Sequence, residues 1–323
     1  MGFGEKSWLL RTVLVNLYLI KWILNNYRSL KRDFSFSVME DRYVILPTYI
    51  VSKISHIKVI SRVSDWGKSY LESLGFTSSL SYNSMYLLNL YYERFVVKLS
   101  FCVIVPSENM YDQLRNFFTN KYLYYFPQPF TASKTSNSKS RDGSIFLDRN
   151  HDIYCLLVGN YYYRPNQDSA NFVVKYLAHA VKKIDPKIKF IIIGDGSLEK
   201  YSIYNSDNLL SLGMIQNLNE IYSNSQIGIN PSTAKGGTSI KIIEYLCNGL
   251  YVIATPESSI GVLESSNLII RNKEEFPQAL YKLANTIRSG EIEDRNKEVE
   301  RIRDHYSKNV IMKNFLEFIR SIE

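Results

Sequence analysis

Residues 235–249 read KGGTSIKIIEYLCNG, which sets two glycines, two hydroxyl residues, a lysine and a glutamate around the start of a short helix. Gly236 and Gly237 can take positive φ and let a ligand approach the backbone. Thr238 or Ser239 can accept from the unpaired N–H groups of the first turn. Lys241 precedes Glu244 by three positions, so both side chains leave one side of the helix. A diphosphate placed there would meet N–H groups and an ammonium, while the carboxylate could accept from sugar hydroxyls. The same residues also describe an ordinary capped helix with a surface Lys–Glu pair, ended by Gly249 at C′.

The elements around this segment decide where it stands. From residue 153 onward, short continuously apolar runs (YCLLVG, KFIIIGDG, NLLSLG, IGINP, YVIAT) alternate with helices expected at 168–183, 217–224 and 240–248. That alternation implies a parallel sheet covered on both faces. Gly159, Gly194, Gly213 and Pro231 mark the carboxyl ends of its strands, where ligands bind in such folds. Helices at about 274–288 and 294–321 complete the chain; the last is long, charged and interrupted by no proline, and could pack back across the N-terminal domain. Upstream, YVILPTYIVSK and HIKVISRVSDW read as β-rich pieces, and residues 81–97 as a helix carrying Glu93. FCVIVPSENMYDQLRNFF reads as a strand, a Ser107-capped turn and a helix, followed by the strand KYLYYF. The polar, aperiodic residues 131–150 form the linker, giving an N-terminal domain over 1–130 and a C-terminal domain over 151–323.

Composition fits that plan. At 323 residues the chain exceeds one ordinary hydrophobic core, and 45% hydrophobic with 22% charged residues is globular material. The formal charge is +8, and residues 1–130 hold 15 Lys or Arg against 9 Asp or Glu, so anionic partners are favoured. Nucleic acid is a poor choice among them, because the tyrosines are not interleaved with a basic stripe. Cys102, Cys155 and Cys247 are separate and lie in apolar runs, as buried thiols do. His56, His151, His179 and His305 are too dispersed for a metal motif. The apolar stretch 8–27 is interrupted by Arg11, Asn16 and Lys21. It reads first as a buried or interdomain helix, then as a helix lying on a membrane surface, and last as a span.

Residues 153–270 resemble the C-terminal, nucleotide-binding domain of GT-B glycosyltransferases, specifically the large family 4 of retaining enzymes. The resemblance is carried by LLVGNYYYRPN, KFIIIGDGS, LLSLGMIQNLNEIYSNSQIGINPS, GGTSIKIIEYLCNG and YVIATPESSIGV. SRVSDW, the helix with Glu93 and VIVPSENM carry it more weakly into the N-terminal half. It implies two Rossmann-like α/β domains facing across a cleft. Gly2 and Gly4 could stand for the N-terminal loop while the first strand is missing; a shortened N-terminal domain is the preferred expectation, ahead of a polypeptide that begins upstream or a different role for the early helix.

The resemblance further implies that Glu244 holds the donor ribose and that Lys241 faces the diphosphate with Arg164 as the second cation. Gly159 and Gly194 would lie along the donor, and Gly213, Met214 and Ile215 would receive the base. Gly236 stands where the family has the first glutamate of its Glu-x7-Glu motif, so backbone groups of 236–239 would take over that sugar contact. Asp65 falls where relatives place a residue near the reacting sugar, and it would orient the acceptor hydroxyl and accept its proton. The plainer alternatives are a solvent-facing loop arginine for Arg164, a turn glycine for Gly159, strand-end core residues for Met214 and Ile215, a loop cap for Asp65 and a helix carboxylate for Glu93.

The expected activity is retaining transfer of a hexose-like sugar from a nucleoside-diphosphate sugar to a glycan, lipid-linked or other hydroxyl acceptor. No cofactor or metal is expected, and the location is cytoplasmic, at most with peripheral contact at the inner membrane surface. The alternatives are a catalytically silent nucleotide-sugar binder or scaffold, and another GT-B enzyme such as an epimerase or phosphorylase.

Overall fold

The computed structural model describes residues 36–39, 58–63, 98–117, 122–130, 152–234, 238–290 and 295–322, together with positions 21, 25, 49, 53, 94 and 95. Asp65, Glu93, Gly236, Gly237, the linker 131–150 and, apart from Lys21 and Asn25, the stretch 8–27 lie outside them. The chain divides into two compact units, one running to Phe126 and the other from Pro127 to Ser321.

The first unit contains strands β1 (Phe36–Met39), β2 (Lys58–Arg62), β3 (Cys102–Val105) and β4 (Tyr122–Tyr125), with helix α1 (Glu108–Phe117) between the last two. The strands form a parallel sheet in the order β1-β2-β3-β4. Alternate residues of β3, Val103 and Val105, pack with Val63, Met110 and Leu114. Ser107 caps α1 as expected: the Met110 N–H donates to its Oγ at 3.3 Å. The β-rich reading of residues 43–53 fails at Tyr49 and Lys53, which are helical. Four residues apart, they stand one turn above each other, with the Lys53 ammonium 5.7 Å from the Tyr49 ring centre.

The second unit is a six-stranded parallel sheet in the order β10-β9-β8-β5-β6-β7. Its strands are β5 (Ile153–Val158), β6 (Ile188–Ile193), β7 (Leu209–Gly213), β8 (Ile227–Asn230), β9 (Tyr251–Ala254) and β10 (Leu268–Ile270). The strand order reverses between β5 and β8, which makes that point the crevice where doubly wound sheets take ligands. One face is covered by α2 (Arg164–Phe172), a π-helical turn (Val173–Leu177), α3 (Ala178–Ile184) and α7 (Phe276–Ser289). The opposite face carries α5 (Asn219–Asn224), α6 (Ile240–Cys247) and α8 (Arg295–His305). A short α4 (Ser197–Tyr201) lies between β6 and β7.

Two boundaries differ from expectation. The helix expected at 168–183 begins at Arg164, so that arginine opens a helix instead of lying in a loop. Pro165, in the first turn, has a fixed φ suited to a helix start and lacks the N–H that would be orphaned there. The last helix is two helices, α8 and α9 (Lys308–Ser321), separated at Tyr306 and Ser307. Tyr306 is wholly buried; its carbonyl accepts from the Phe130 N–H at 2.7 Å, and its hydroxyl accepts from the Leu263 N–H at 2.9 Å. Tertiary bonds thus break a helix that no proline interrupts. All three cysteines are buried and free, as expected. Among the described residues no helix is long and apolar enough to cross a membrane.

Candidate functional site

Helix α6 is fixed at the strand-order reversal by packing. Ile242, Ile243, Tyr245, Leu246 and Cys247 are buried, which turns the helix inward on nearly every side after its first turn. Gly228 of β8 makes room: a Cβ there would lie 2.2 Å from Cδ2 of Tyr245. The Tyr245 hydroxyl reaches past it and accepts from the Val158 N–H at 2.7 Å. One buried tyrosine thereby joins α6 to the carboxyl end of β5.

Ser239 occupies the N-cap position, but its side chain caps nothing. Its hydroxyl instead accepts from Asn230 Nδ2, at the end of β8, at 2.9 Å. Asn230 is 2% exposed and its other amide atom, Oδ1, is without a partner. The first helical bond of α6 runs from the Ile243 N–H to the Ser239 carbonyl. Among the described residues, the N–H groups of Ile240, Lys241 and Ile242 thus have no side-chain cap, and an anion at this helix start meets donors and the positive end of the dipole. Gly249 follows the helix at C′ with φ +78°, as expected.

Lys241 does not pair with Glu244. Its Nζ donates to Oδ1 of Asn166, in the first turn of α2, at 2.8 Å. Burial pushes the Lys241 ammonium down to about 8, with the Glu244 charge opposing the shift. Burial likewise raises the Glu244 carboxyl, against the hydrogen bond from the Tyr222 hydroxyl at 3.3 Å and the charge of Lys241. These are two desolvated charges with separate neutral partners, unlike an exposed surface pair.

The carboxyl ends of β5, β6 and β7 are laced together beside this lysine. The Gly159 N–H donates to the Ile193 carbonyl at 3.0 Å, and the Gly194 N–H to the Gly213 carbonyl at 2.8 Å. A Cβ on Gly194 would lie 1.9 Å from the Gly159 carbonyl oxygen, so a bare backbone is required whether or not a ligand is present. Arg164 is exposed at the start of α2. Met214 and Ile215 part company: Met214 is 70% exposed beyond β7, whereas Ile215 packs against the core. Thr238 and Ser239 are half-buried at the start of α6.

The described candidates therefore lie along one sheet edge in the second unit, and Lys241 and Glu244 share one helix. Asn166, Tyr222, Asn230 and Tyr245 belong to the same place and were not legible as site residues. Asn166 carried the only local signal, as a polar residue in the helix-opening RPN that follows a strand and its glycine. Among the described residues no three His, Cys, Asp or Glu side chains are grouped to hold a metal ion.

Residues 152–286 match the family described as Glycosyl transferases group 1. No curated protein matches the chain in sequence. Sucrose-phosphate synthase from Thermosynechococcus elongatus is similar in structure, with a TM-score of 0.64 and 14% identity over 94% of this chain and 79% of that one. A glycosyltransferase from Rickettsia africae gives 0.63 and 15% over 100% and 84%. The Anabaena protein HepE in complex with UDP gives 0.63 and 13% over 93% and 82%. Likeness at these identities is likeness of fold, and it spans both units. The chain is accordingly a GT-B fold protein of two Rossmann-like domains, and its residues 152–286 match the glycosyl transferases of group 1.

Proposed function

We propose that the protein transfers a hexose-like sugar from a nucleoside-diphosphate sugar to a hydroxyl acceptor with retention at the anomeric carbon. The observation that carries this reading is Lys241: a desolvated ammonium held by a neutral amide, in the first turn of a helix whose N–H groups have no side-chain cap among the described residues. As the sugar–phosphate bond breaks, negative charge builds on the departing diphosphate. Lys241, the start of α6 and Arg164 would stabilise that charge more in the transition state than in the bound donor. Retention rests on the resemblance to family 4, as does Asp65 as the residue that orients the acceptor hydroxyl. A glycan or lipid-linked alcohol suits the acceptor role, and the uridine diphosphate bound by the Anabaena relative makes uracil the first base to try.

The test is a binding and turnover screen of uridine- and guanosine-diphosphate sugars against glycan and lipid acceptors, with product masses and anomeric configuration measured. Nucleotide binding without transfer or hydrolysis would select the silent binder instead, and an inverted product would remove the retaining assignment.

Glu244 supplies a sharper check. A carboxylate can accept from both hydroxyls of a ribose, and the Tyr222 hydroxyl occupies only one side of it. Glu244→Gln should weaken nucleotide binding by about 10-fold, the worth of one charge-assisted hydrogen bond, with little loss of stability. Calorimetric titration with the free nucleoside diphosphate reads this directly. Unchanged affinity in the folded variant would remove Glu244 from the ribose.

A further inference from the structure

The Lys241 ammonium has one hydrogen-bond partner among the described residues, and that partner is itself held at both ends. Asn166 accepts from Lys241 Nζ through Oδ1 at 2.8 Å, while its Nδ2 donates to the Asn160 carbonyl at 2.9 Å. An ammonium can only donate and a carbonyl can only accept, so the two bonds fix which way the carboxamide faces. The amide also lies close against the bare backbone of Gly159, where an added Cβ would come within 3.0 Å of Asn166 Cγ and Nδ2. Lys241 sits in the first turn of α6 and Asn166 in the first turn of α2, so this single bond ties two helix starts together across the reversal in strand order.

We propose that Asn166 is the positioning residue for Lys241, holding the ammonium at the carboxyl end of β5 through an uncharged acceptor that leaves its full charge for the donor diphosphate. The purpose of this arrangement rests on the donor reading given above. A carboxylate at 166 would hold the lysine equally well but would spend its charge and repel the phosphates; an alanine would hold nothing. An amide combines a fixed position with an unneutralised cation, which suits a group whose stabilisation must be reserved for charge that develops during reaction.

Brief acetylation of the folded, nucleotide-free protein with trace acetic anhydride, read at the Lys241 peptide by mass, reports on the hold without reference to activity. Asn166→Ala should label Lys241 about 10-fold faster, the effect of losing one hydrogen bond. Asn166→Asp should label it no faster than the parent, because the lysine stays engaged. Transfer should be slower in both. In the alanine variant the loss should fall on kcat, with donor affinity nearly kept; in the aspartate variant affinity should fall too.

Should the alanine variant fail to fold, the aspartate variant still decides, since a retained hold with weakened donor binding is expected only if Asn166 faces the charge used on the donor. Equal labelling of Lys241 in the parent and a folded Asn166→Ala protein would overturn the positioning role. So would full transfer by the aspartate variant. Faster labelling in a protein that binds no nucleotide would keep the hold on Lys241 and overturn the donor reading instead.

Discussion

Gly194→Ala should leave the second unit unable to close its sheet edge, with a loss of stability of more than about 4 kcal/mol and little soluble protein. The new Cβ would lie 1.9 Å from the Gly159 carbonyl oxygen, backbone against backbone, with no flexible side chain to move away. Gly194 has φ +130°, where L residues are strained even in open space. Rotating out of it would break the bond from the Gly194 N–H to Gly213 and the one it accepts from the Ser197 N–H at 3.1 Å.

Two other glycines calibrate the expectation. Gly228→Ala meets the Tyr245 ring at 2.2 Å, a side chain that can shift but is buried and hydrogen-bonded, so about 2–3 kcal/mol is expected. Gly290→Ala meets nothing within 4 Å and carries only the strain of φ +71°, about 1 kcal/mol. Hydrogen exchange of the β5 and β6 amides reports on this sheet edge directly. A Gly194→Ala protein with parental protection there would show that the strand ends are not so closely laced.

Those strand ends also show what the sequence made legible. The inner strands β5, β6, β8 and β9 of the second unit are nearly continuous apolar runs buried on both faces, while the outer β7 and β10 expose Leu210 and Ile270; a buried run of that kind announces itself without knowledge of its neighbours. Lys241 and Glu244 were readable for the same reason: helix periodicity alone puts them on one side. The partners that define their chemistry were not. Asn166 is 75 residues from Lys241, Tyr222 is 22 from Glu244, and Tyr245 is 87 from Val158. No local pattern encodes such contacts, because they follow from which strands become neighbours. Ser239 shows local chemistry overridden at close range, since Asn230, nine residues earlier, takes the hydroxyl that capping rules give to the helix. The same override breaks the last helix at Tyr306.

Lys241→Met should slow sugar transfer about 100-fold, the loss of a transition-state contact worth roughly 3 kcal/mol, while making the folded protein more stable. The second half follows from burial. The folded pKa of Lys241 lies at about 8, below its usual 10.5, so at neutral pH the fold carries a charged group in a place that disfavours charge. That penalty is fully present below pH 8. It fades as pH rises from about 8 to 10.5, where the unfolded chain binds the proton and the folded chain does not. Removing the ammonium relieves a penalty on the order of 3 kcal/mol at neutral pH, offset in part by loss of the bond to Asn166.

A structural lysine would behave oppositely, losing stability when replaced, as would a surface lysine paired with Glu244, by a few tenths of a kcal/mol. Transfer should follow the same proton: kcat/KM should fall about tenfold per pH unit above about 8, where free enzyme loses the cation. kcat should hold to higher pH, because the bound diphosphate keeps the ammonium charged. Lys241→Arg should flatten the kcat/KM profile over that range without restoring its height, its planar fork matching neither Asn166 nor the lysine's position. Stability and single-turnover transfer measured together across pH decide the matter. Parental transfer by Lys241→Met would remove the leaving-group role, and lower stability at neutral pH would show that the lysine serves the fold.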